Sequence, residues 1–222
     1  MEAPVFKTPA GENVKKALAF CAEGAAGVEA YTFLRLNEKA LPPGRFFCAE
    51  NAAGEVFSAV FYNGDMPVKK EAGVPPYGDL CVMEYRAAPP PETAALPLTL
   101  ADTLAAYAAL GGGFLTPENE LRYVYRARAL REGLACGFGI KENGALAAFA
   151  YITAQNVTCA MLGDVYTLPA FRGRGYAHKT AAACVRAALA AGKRPVLVCA
   201  PEMRGFYKKM GFEVMKDQKN EG

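Results

Sequence analysis

Apolar positions along the chain change their period several times, and each change predicts an element. Over residues 11–23, Val14, Ala17, Leu18 and Cys21 recur at helical spacing and Gly24 follows as a stop, which predicts a first helix. A second helix is expected over about 27–37, although the run YTFLRL also alternates as a strand would. Two strands, GRFFCAEN (44–51) and EVFSAVFY (55–62), flank an Ala-Ala-Gly turn, and Asn63-Gly64 marks the next one. LCVMEYRA (80–87) reads as a further strand. Three consecutive prolines in APPPETAALP (88–97) then break the pattern, and the boundary between an N-terminal unit (1–97) and a C-terminal domain (98–222) is placed there.

Beyond that boundary, residues 98–110 read as a helix that stops at Gly111-Gly112-Gly113. Thr116-Pro117 has the form of a cap followed by proline in the first helical position, opening a helix to about 133. Residues 136–168 form a meander of three strand-like runs, with turns at Glu142-Asn143-Gly144 and Gln155-Asn156. A helix over 176–191 carries Ala177, Ala181, Cys184, Val185 and Ala188 on one face. The uniformly apolar RPVLVCA (194–200) fits a buried strand, and a helix over about 201–210 and a strand at FEVMK close the chain. This order predicts a mixed α/β domain.

Composition narrows the class only a little. Hydrophobic residues make up 52% and charged residues 21%, as in a folded domain and unlike a disordered one. The net charge of +3 is too mild to suggest nucleic-acid binding, so any anion site must be built locally. No apolar run approaches the roughly 18–20 residues of a membrane span, and the N-terminus lacks the pattern of a secretion signal. The seven cysteines are scattered and show no metal-ligand spacing, which points to reduced thiols in a cytoplasm and to no metal. With one histidine, His178, a Ser-His-Asp mechanism would rest on that residue alone.

The chemistry concentrates in DVYTLPAFRGRGYA (164–177), which joins a strand to a helix through a glycine-containing, basic turn. Consecutive backbone amides in such a turn make a concave nest for an anion, and the helix start adds the positive end of its dipole. Gly173 and Gly175 let an anion approach the main chain, while Arg172, Arg174, His178 and Lys179 surround it with charge. The nucleoside triphosphate loop Gly-x-x-x-x-Gly-Lys-Ser/Thr and the dinucleotide pattern Gly-x-Gly-x-x-Gly are both absent.

Arg172-Gly173-Arg174-Gly175-Tyr176-Ala177 resembles motif A of the GNAT N-acetyltransferase superfamily, Arg/Gln-x-x-Gly-x-Gly/Ala. FYKKMGFEV (206–214) matches that family's Tyr-x-x-x-Gly-Phe ending, and the resemblance covers about residues 115–215. It implies an α/β fold with a GNAT-like mixed sheet and flanking helices, and a C-terminal acyl-CoA domain. The first 97 residues would then be a degenerate acetyltransferase-like unit that helps shape the acceptor pocket. It further implies acetyl-CoA as cosubstrate, its pyrophosphate on the amides of residues 172–177 and its pantetheine arm along Val165, Tyr166 and Thr167, between splayed strands 160–168 and 194–200. By the same resemblance Tyr207 is the general acid, Asp164 a candidate base, and the backbone of Val165 a donor to the thioester carbonyl. His178 and Lys179 are expected beside the phosphates. Glu84, Glu118 and Glu120 are weaker base candidates and are read as solvated surface charges.

One position departs from the family pattern. Asn often stands seven residues before the tyrosine, and Ala200 stands there in this chain, so contacts from that strand differ. The reading that follows is acetyl transfer to a primary amine on a small molecule or peptide, in the cytoplasm, with no nucleic-acid or membrane partner. A homodimer is compatible with it. Transfer from another acyl-CoA and a non-catalytic CoA-binding module are the rival readings.

Overall fold

The computed structural model describes residues 6–39, 41–42, 44–63, 66–70, 77 and 79–215. The chain begins with helices α1 (Glu12–Cys21) and α2 (Val28–Leu36), followed by strands β1 (Phe46–Glu50), β2 (Val56–Asn63) and β3 (Met66–Lys70). Strands β4 (Cys81–Tyr85) and β5 (Leu96–Pro97) lead to helices α3 (Leu100–Leu110) and α4 (Pro117–Arg131). Then come β6 (Cys136–Glu142), β7 (Ala145–Gln155), β8 (Cys159–Thr167), helix α5 (Tyr176–Ala190), β9 (Arg194–Cys199), helix α6 (Arg204–Lys209) and β10 (Phe212–Val214). Local chemistry explains many of these boundaries. Thr99 and Asp102 form a reciprocal capping box at the start of α3, and Thr116 caps α4 ahead of Pro117. Asn143 and Gly144 both take positive φ in the two-residue turn between β6 and β7, as the primed hairpin turns require. Gly64, half of the turn expected at Asn63-Gly64, lies outside the described residues.

Strands β1–β3 form a small antiparallel sheet, and the other seven form one sheet in the order β10-β4-β9-β8-β7-β6-β5. The pair β8/β9 is parallel and every other neighbouring pair is antiparallel. Helices cover both faces. On β7, Phe149 and Tyr151 pack with Ala106 of α3, whereas Ala150 and Ile152 pack with Ala181, Cys184 and Val185 of α5. This is the period-two alternation of a strand buried on both sides.

The boundary read at the prolines does not divide the large sheet. Strand β4, assigned from sequence to the N-terminal unit, is hydrogen-bonded on one edge to β9 and on the other to β10. Its Glu84, read as a solvated charge, is buried and paired with Arg86 at 2.9 Å and Arg194 at 3.5 Å. A central strand has no solvent edge, so its one carboxylate needs cationic partners. One apolar cluster also spans both parts of the chain, joining Val14, Leu18, Phe33 and Phe46 to Cys159, Met161 and Val196. On β1 and β2, Phe46 and Phe61 are buried, while Phe57 is exposed.

The turn between β7 and β8 plugs into the loop after α1. Asn156 is almost fully buried and donates to the carbonyls of Cys21 (3.1 Å) and Gly24 (2.9 Å). Its Oδ1 accepts from the amides of Thr158 (3.1 Å) and Cys159 (2.8 Å). The Thr32 hydroxyl donates to the Gln155 carbonyl at 3.0 Å and accepts from the Gln155 amide at 2.9 Å. Removing the Asn156 amide leaves several buried backbone groups unpaired, at about 1–3 kcal/mol each. Asn156→Ala is therefore expected to lower unfolding free energy by at least about 2 kcal/mol in a denaturant titration. An unchanged midpoint would show that the two parts do not depend on this plug.

Candidate active site at the splayed strands

The parallel ladder between β8 and β9 runs from Cys159↔Arg194 to Leu162↔Leu197 and stops. Past that point β8 continues for five residues while β9 pairs only with β4 on its other side. A wedge opens between the two strands. Its cause lies in β8, where the register with β7 passes from Tyr151↔Gly163 to Phe149↔Tyr166. Asp164 and Val165 thus oppose the single residue Ala150, a bulge that bends and re-aims the strand. Asp164 sits at φ 49°, in the left-handed region that L-residues other than Asn and Asp rarely enter. Beyond the bulge, the Leu168 amide donates to the Ala147 carbonyl at 2.9 Å. By the alternation of an antiparallel ladder, Tyr166 bonds toward β7 while Val165 and Thr167 turn their peptide groups into the wedge.

The bulge is held by side chains from α3 and α4. The Tyr107 hydroxyl donates to Asp164 Oδ2 at 2.6 Å, Arg122 donates to Oδ1 at 2.7 Å and Arg126 to Oδ2 at 3.3 Å. Arg126 Nε also donates to the Tyr107 oxygen at 3.2 Å, and Arg126 reaches the Thr153 carbonyl. Burial pushes the Tyr107 hydroxyl up to about 12, with the Asp164 charge adding to it and Arg126 opposing, so it stays protonated and able to donate. Burial alone would lower the Arg126 guanidinium, but Tyr107 and Asp164 outweigh it and raise it. Asp164 therefore accepts from three donors, two of them cationic, on the α3/α4 face of the sheet. The carboxylate expected as a base has its lone pairs engaged away from the wedge, and its geometry is that of a backbone anchor.

At the other end of the wedge lies the nest. Gly173 (φ 77°) and Gly175 (φ 73°) both take left-handed conformations, and a Cβ built on either would meet nothing within 4 Å. The turn thus needs glycine for its backbone and leaves open space in front of it. The amides of residues 173–178 have no hydrogen-bond partner among the described residues. Three of them are the unpaired first-turn donors of α5. The Arg172 amide, expected in the same row, instead donates to the Pro169 carbonyl at 3.3 Å, and its Nε donates to the Thr167 carbonyl at 3.2 Å. The row of free donors is therefore shifted by one residue relative to the sequence reading.

A cavity of about 460 Å³ connects wedge and nest. It is walled by Val165, Tyr166 and Thr167 of β8 and by Phe171, Arg172, Gly173 and Gly175 of the turn. Tyr176, Ala177 and His178 of α5 and Met203, Phe206 and Tyr207 around α6 complete it. Thr167 Oγ1 is a buried atom in this wall with no hydrogen-bond partner among the described residues. An orphaned hydroxyl beside six free amides fits a ligand rich in acceptors. Tyr207 packs edge-on against Phe206 and Phe212, with centroids at 5.1 and 6.0 Å. Burial, and then the neighbouring Cys199 thiol, raises its pKa above the usual tyrosine value, which keeps the phenol protonated. Burial also pushes the Cys199 thiol up to about 11, so no thiolate waits at the wedge.

Most of the residues expected from sequence thus meet in one place. Arg174 and Lys179 stay outside the cavity wall: Arg174 stacks over the Phe171 ring at 5.4 Å and Lys179 over the Tyr176 ring at 5.5 Å. Phe171, Met203 and Phe206 were not anticipated, since apolar side chains carry no chemical signal of their own. Glu118 and Glu120 are exposed at the first turn of α4, as expected.

Residues 103–212 match the model of the Acetyltransferase (GNAT) family. No curated protein sequence matches the chain. Among solved structures, a GNAT-family acetyltransferase from Colwellia psychrerythraea aligns with 95% of this chain and 96% of its own, at TM-score 0.58 and 12% identity. A Drosophila protein aligns over 96% of both chains, at TM-score 0.56 and 11% identity. A GNAT-family protein from Novosphingobium aromaticivorans is 21% identical at TM-score 0.48, over 61% of this chain and 59% of that one, so this chain spans less than two thirds of that relative. At such identities the whole-chain likenesses show the fold: a mixed sheet with flanking helices.

The clamp on Asp164 makes a direct prediction. Asp164→Val removes the carboxylate, strands two guanidinium groups and places a β-branched residue at positive φ, and should cost about 3–5 kcal/mol of stability. Asp164→Asn tolerates the left-handed backbone and still accepts a hydrogen bond, so its loss should be clearly smaller. Chemical denaturation of both variants checks this, and equal losses would mean that the backbone conformation is not what the cluster protects.

Proposed function

Residues 103–212 belong to the GNAT acetyltransferase family, and from that premise we propose that the chain moves an acetyl group from acetyl-CoA to a primary amine by direct attack. The observation that carries the reading is the row of six amides at residues 173–178, unpartnered among the described residues, with all of these residues but Arg174 lining the same cavity as Tyr207. A diphosphate bearing two negative charges suits a row of main-chain donors at a helix start, with the Arg172 side chain beside it. The peptide groups of Val165 and Thr167 suit an extended amide-bearing arm, which would add to β8 where β9 has diverged.

The thioester supplies an activated acyl carbon, and the chain supplies position and protons. The Val165 amide is placed to polarise a carbonyl in the wedge. In the transfer, a C–N bond forms and the C–S bond breaks. The Tyr207 hydroxyl holds the proton that the departing sulfur takes up, and its raised pKa keeps that proton in place at neutral pH. With Asp164 committed to its clamp, the amine enters as the free base, the proton its nitrogen sheds on attack passes to water through the open wedge, and Tyr207, having given its proton to sulfur, recovers one from that water. Neutral, buried Cys199 favours direct transfer over an acyl-cysteine intermediate. Small molecules and peptide N-termini both remain within the acceptor class, and the N-terminal unit is the part of the chain proposed to select among them.

Thiol release from acetyl-CoA, measured across a broad amine panel, is the test; a chain that binds acetyl-CoA yet releases thiol with no amine is not a transferase. Tyr207→Phe should lower kcat by about tenfold to a hundredfold while leaving acetyl-CoA affinity within about twofold. Because the acid must be protonated and its pKa lies above the usual value, kcat should not fall on the alkaline side below about pH 10. An alkaline fall near pH 8 that disappears in Tyr207→Phe would contradict that assignment. Gly175→Val, which puts a branched side chain in the nest at positive φ, should abolish acetyl-CoA binding in calorimetry. Unchanged affinity would place the diphosphate elsewhere.

A further inference from the structure

Two thiols face each other on neighbouring strands of the large sheet. Strand β4 runs antiparallel to β9 with Cys81 directly opposite Cys199 and Met83 opposite Leu197. On the other edge of β4, the Met215 amide donates to the Val82 carbonyl at 3.0 Å and the Arg86 amide to the Gly211 carbonyl at 2.9 Å. The even-numbered residues of β4 thus bond toward β10, and by the alternation of the ladder Cys81 and Met83 bond toward β9. Cys81 and Cys199 are a hydrogen-bonded pair, whose Cα atoms stand about 5.5 Å apart. Disulfides bridge Cα separations of about 4.4–6.8 Å.

The surroundings single this pair out. Both cysteines belong to one apolar cluster with Met83, Tyr207 and Phe212. Cys199 is nearly fully buried and its thiol donates to the Met83 sulfur at 3.7 Å, whereas Cys81 is partly exposed. Cys81 is the first residue of β4 and Cys199 the last of β9, so the pair stands where its ladder ends. From Cys199 the chain runs through a short turn at Pro201–Met203 into α6, which carries Tyr207. Two other thiol pairs are near enough to feel each other's charge, Cys21 with Cys48 and Cys136 with Cys184. Each of those joins a helix to a strand, with no shared ladder to set the spacing, and Cys21 and Cys184 expose no surface.

We propose that Cys81 and Cys199 are a modification site, closed by hydrogen peroxide into a reversible cross-strand disulfide that slows the transfer reaction. The more exposed Cys81 sulfur attacks a peroxide oxygen: an S–O bond forms, the O–O bond breaks, and the displaced oxygen leaves as water with the thiol proton. Cys199 then attacks the Cys81 sulfur. The S–S bond forms, the S–O bond breaks, and a second water carries away the Cys199 proton. The two sulfurs together give up two electrons, and the two peroxide oxygens take them. To reach Cys81, Cys199 leaves the Met83 sulfur and draws the end of β9 toward β4, and with it the segment that leads into α6. The effect on transfer rests on the reading of Tyr207 given above; the disulfide itself does not. Directly opposed residues hold their Cβ atoms about 4.5–5.5 Å apart, against about 3.8 Å in a relaxed disulfide, so the link is strained and readily reduced by thiols.

The test treats the reduced full chain with hydrogen peroxide, alkylates the remaining thiols under denaturing conditions and reads the digest by mass spectrometry. The expected product joins the Cys81 and Cys199 peptides with the loss of two hydrogens. It should disappear with dithiothreitol and be absent from Cys81→Ser and from Cys199→Ala. Oxidation should lower kcat for amine acetylation at least about fivefold, with recovery in dithiothreitol. Cys81→Ser should keep the basal rate and lose the sensitivity. Acetyl-CoA affinity in calorimetry should stay within about twofold, because the nest on α5 is untouched. A link between Cys21 and Cys48 or between Cys136 and Cys184 in its place, or a sulfinic acid at Cys81 with no link, would overturn the site. A Cys81–Cys199 link that leaves kcat unchanged would overturn its control of transfer. If the reduced chain acetylates no amine, the transferase reading falls, and the mass measurement still decides whether the disulfide forms.

Discussion

One backbone distortion organises this molecule: the bulge at Asp164–Val165. A regular β8 would continue its ladder beside β9 past Leu162↔Leu197, and the sheet would close over the place where the cavity lies. The extra residue bends the strand, turns the peptide groups of Val165 and Thr167 outward, and delivers the chain to the glycine turn at 172–175. Such a bend is costly for a non-glycine residue at φ 49° and persists because three donors hold its carboxylate. Those donors come from α3 and α4, on the opposite face of the sheet from α5. The position of the cavity on one face is thus set by an ionic cluster on the other.

The same logic explains why the chain cannot be cut cleanly at its prolines. Only one strand, β10, follows α6, so the sheet beyond β9 is completed by β4 from the first part of the sequence. Glu84 in that strand meets Arg194 of β9, Asn156 of the β7–β8 turn donates two hydrogen bonds to the loop after α1, and Thr32 of α2 exchanges two with Gln155. The 88–95 segment after β4 then has to pass over α5 to reach its place beside β6. A connection forced by topology runs next to the first turn of the helix that carries the nest.

How far the sequence speaks follows from the range of each interaction. The helices and the β6–β7–β8 meander were readable because period, caps and the Asn143-Gly144 turn act within a few residues. The nest was readable for the same reason, since two glycines three residues apart or fewer and a helix start are local. Strand β3 and the two-residue β5 carried too little pattern to be seen, and nothing in LCVMEYRA says that it lies between β9 and β10. Asp164 stands out in the sequence as a candidate base, but its clamp could not be foreseen. Its partners lie 57, 42 and 38 residues away, and only the fold reveals that they occupy its oxygens. The same holds for Glu84: a lone acid in a strand looks solvated until both edges of that strand prove to be paired.

Charge placement accounts for how a chain of net charge +3 can suit a polyanion. A diffuse positive surface would draw any anion and screen away in salt. Here the donors are main-chain amides held by glycine conformations, which remain after salt has weakened the surrounding side chains. Arg174 and Lys179 are stacked on Phe171 and Tyr176, so the basic residues flanking the nest are held by aromatic rings and not by carboxylates. Among the described residues, neither side chain is in an ion pair. The width of the wedge is set by the bulge in β8 and by the divergence of β9. Both lie outside the glycine turn itself, and so a short, recognisable motif depends on the rest of the chain for the shape of its cavity.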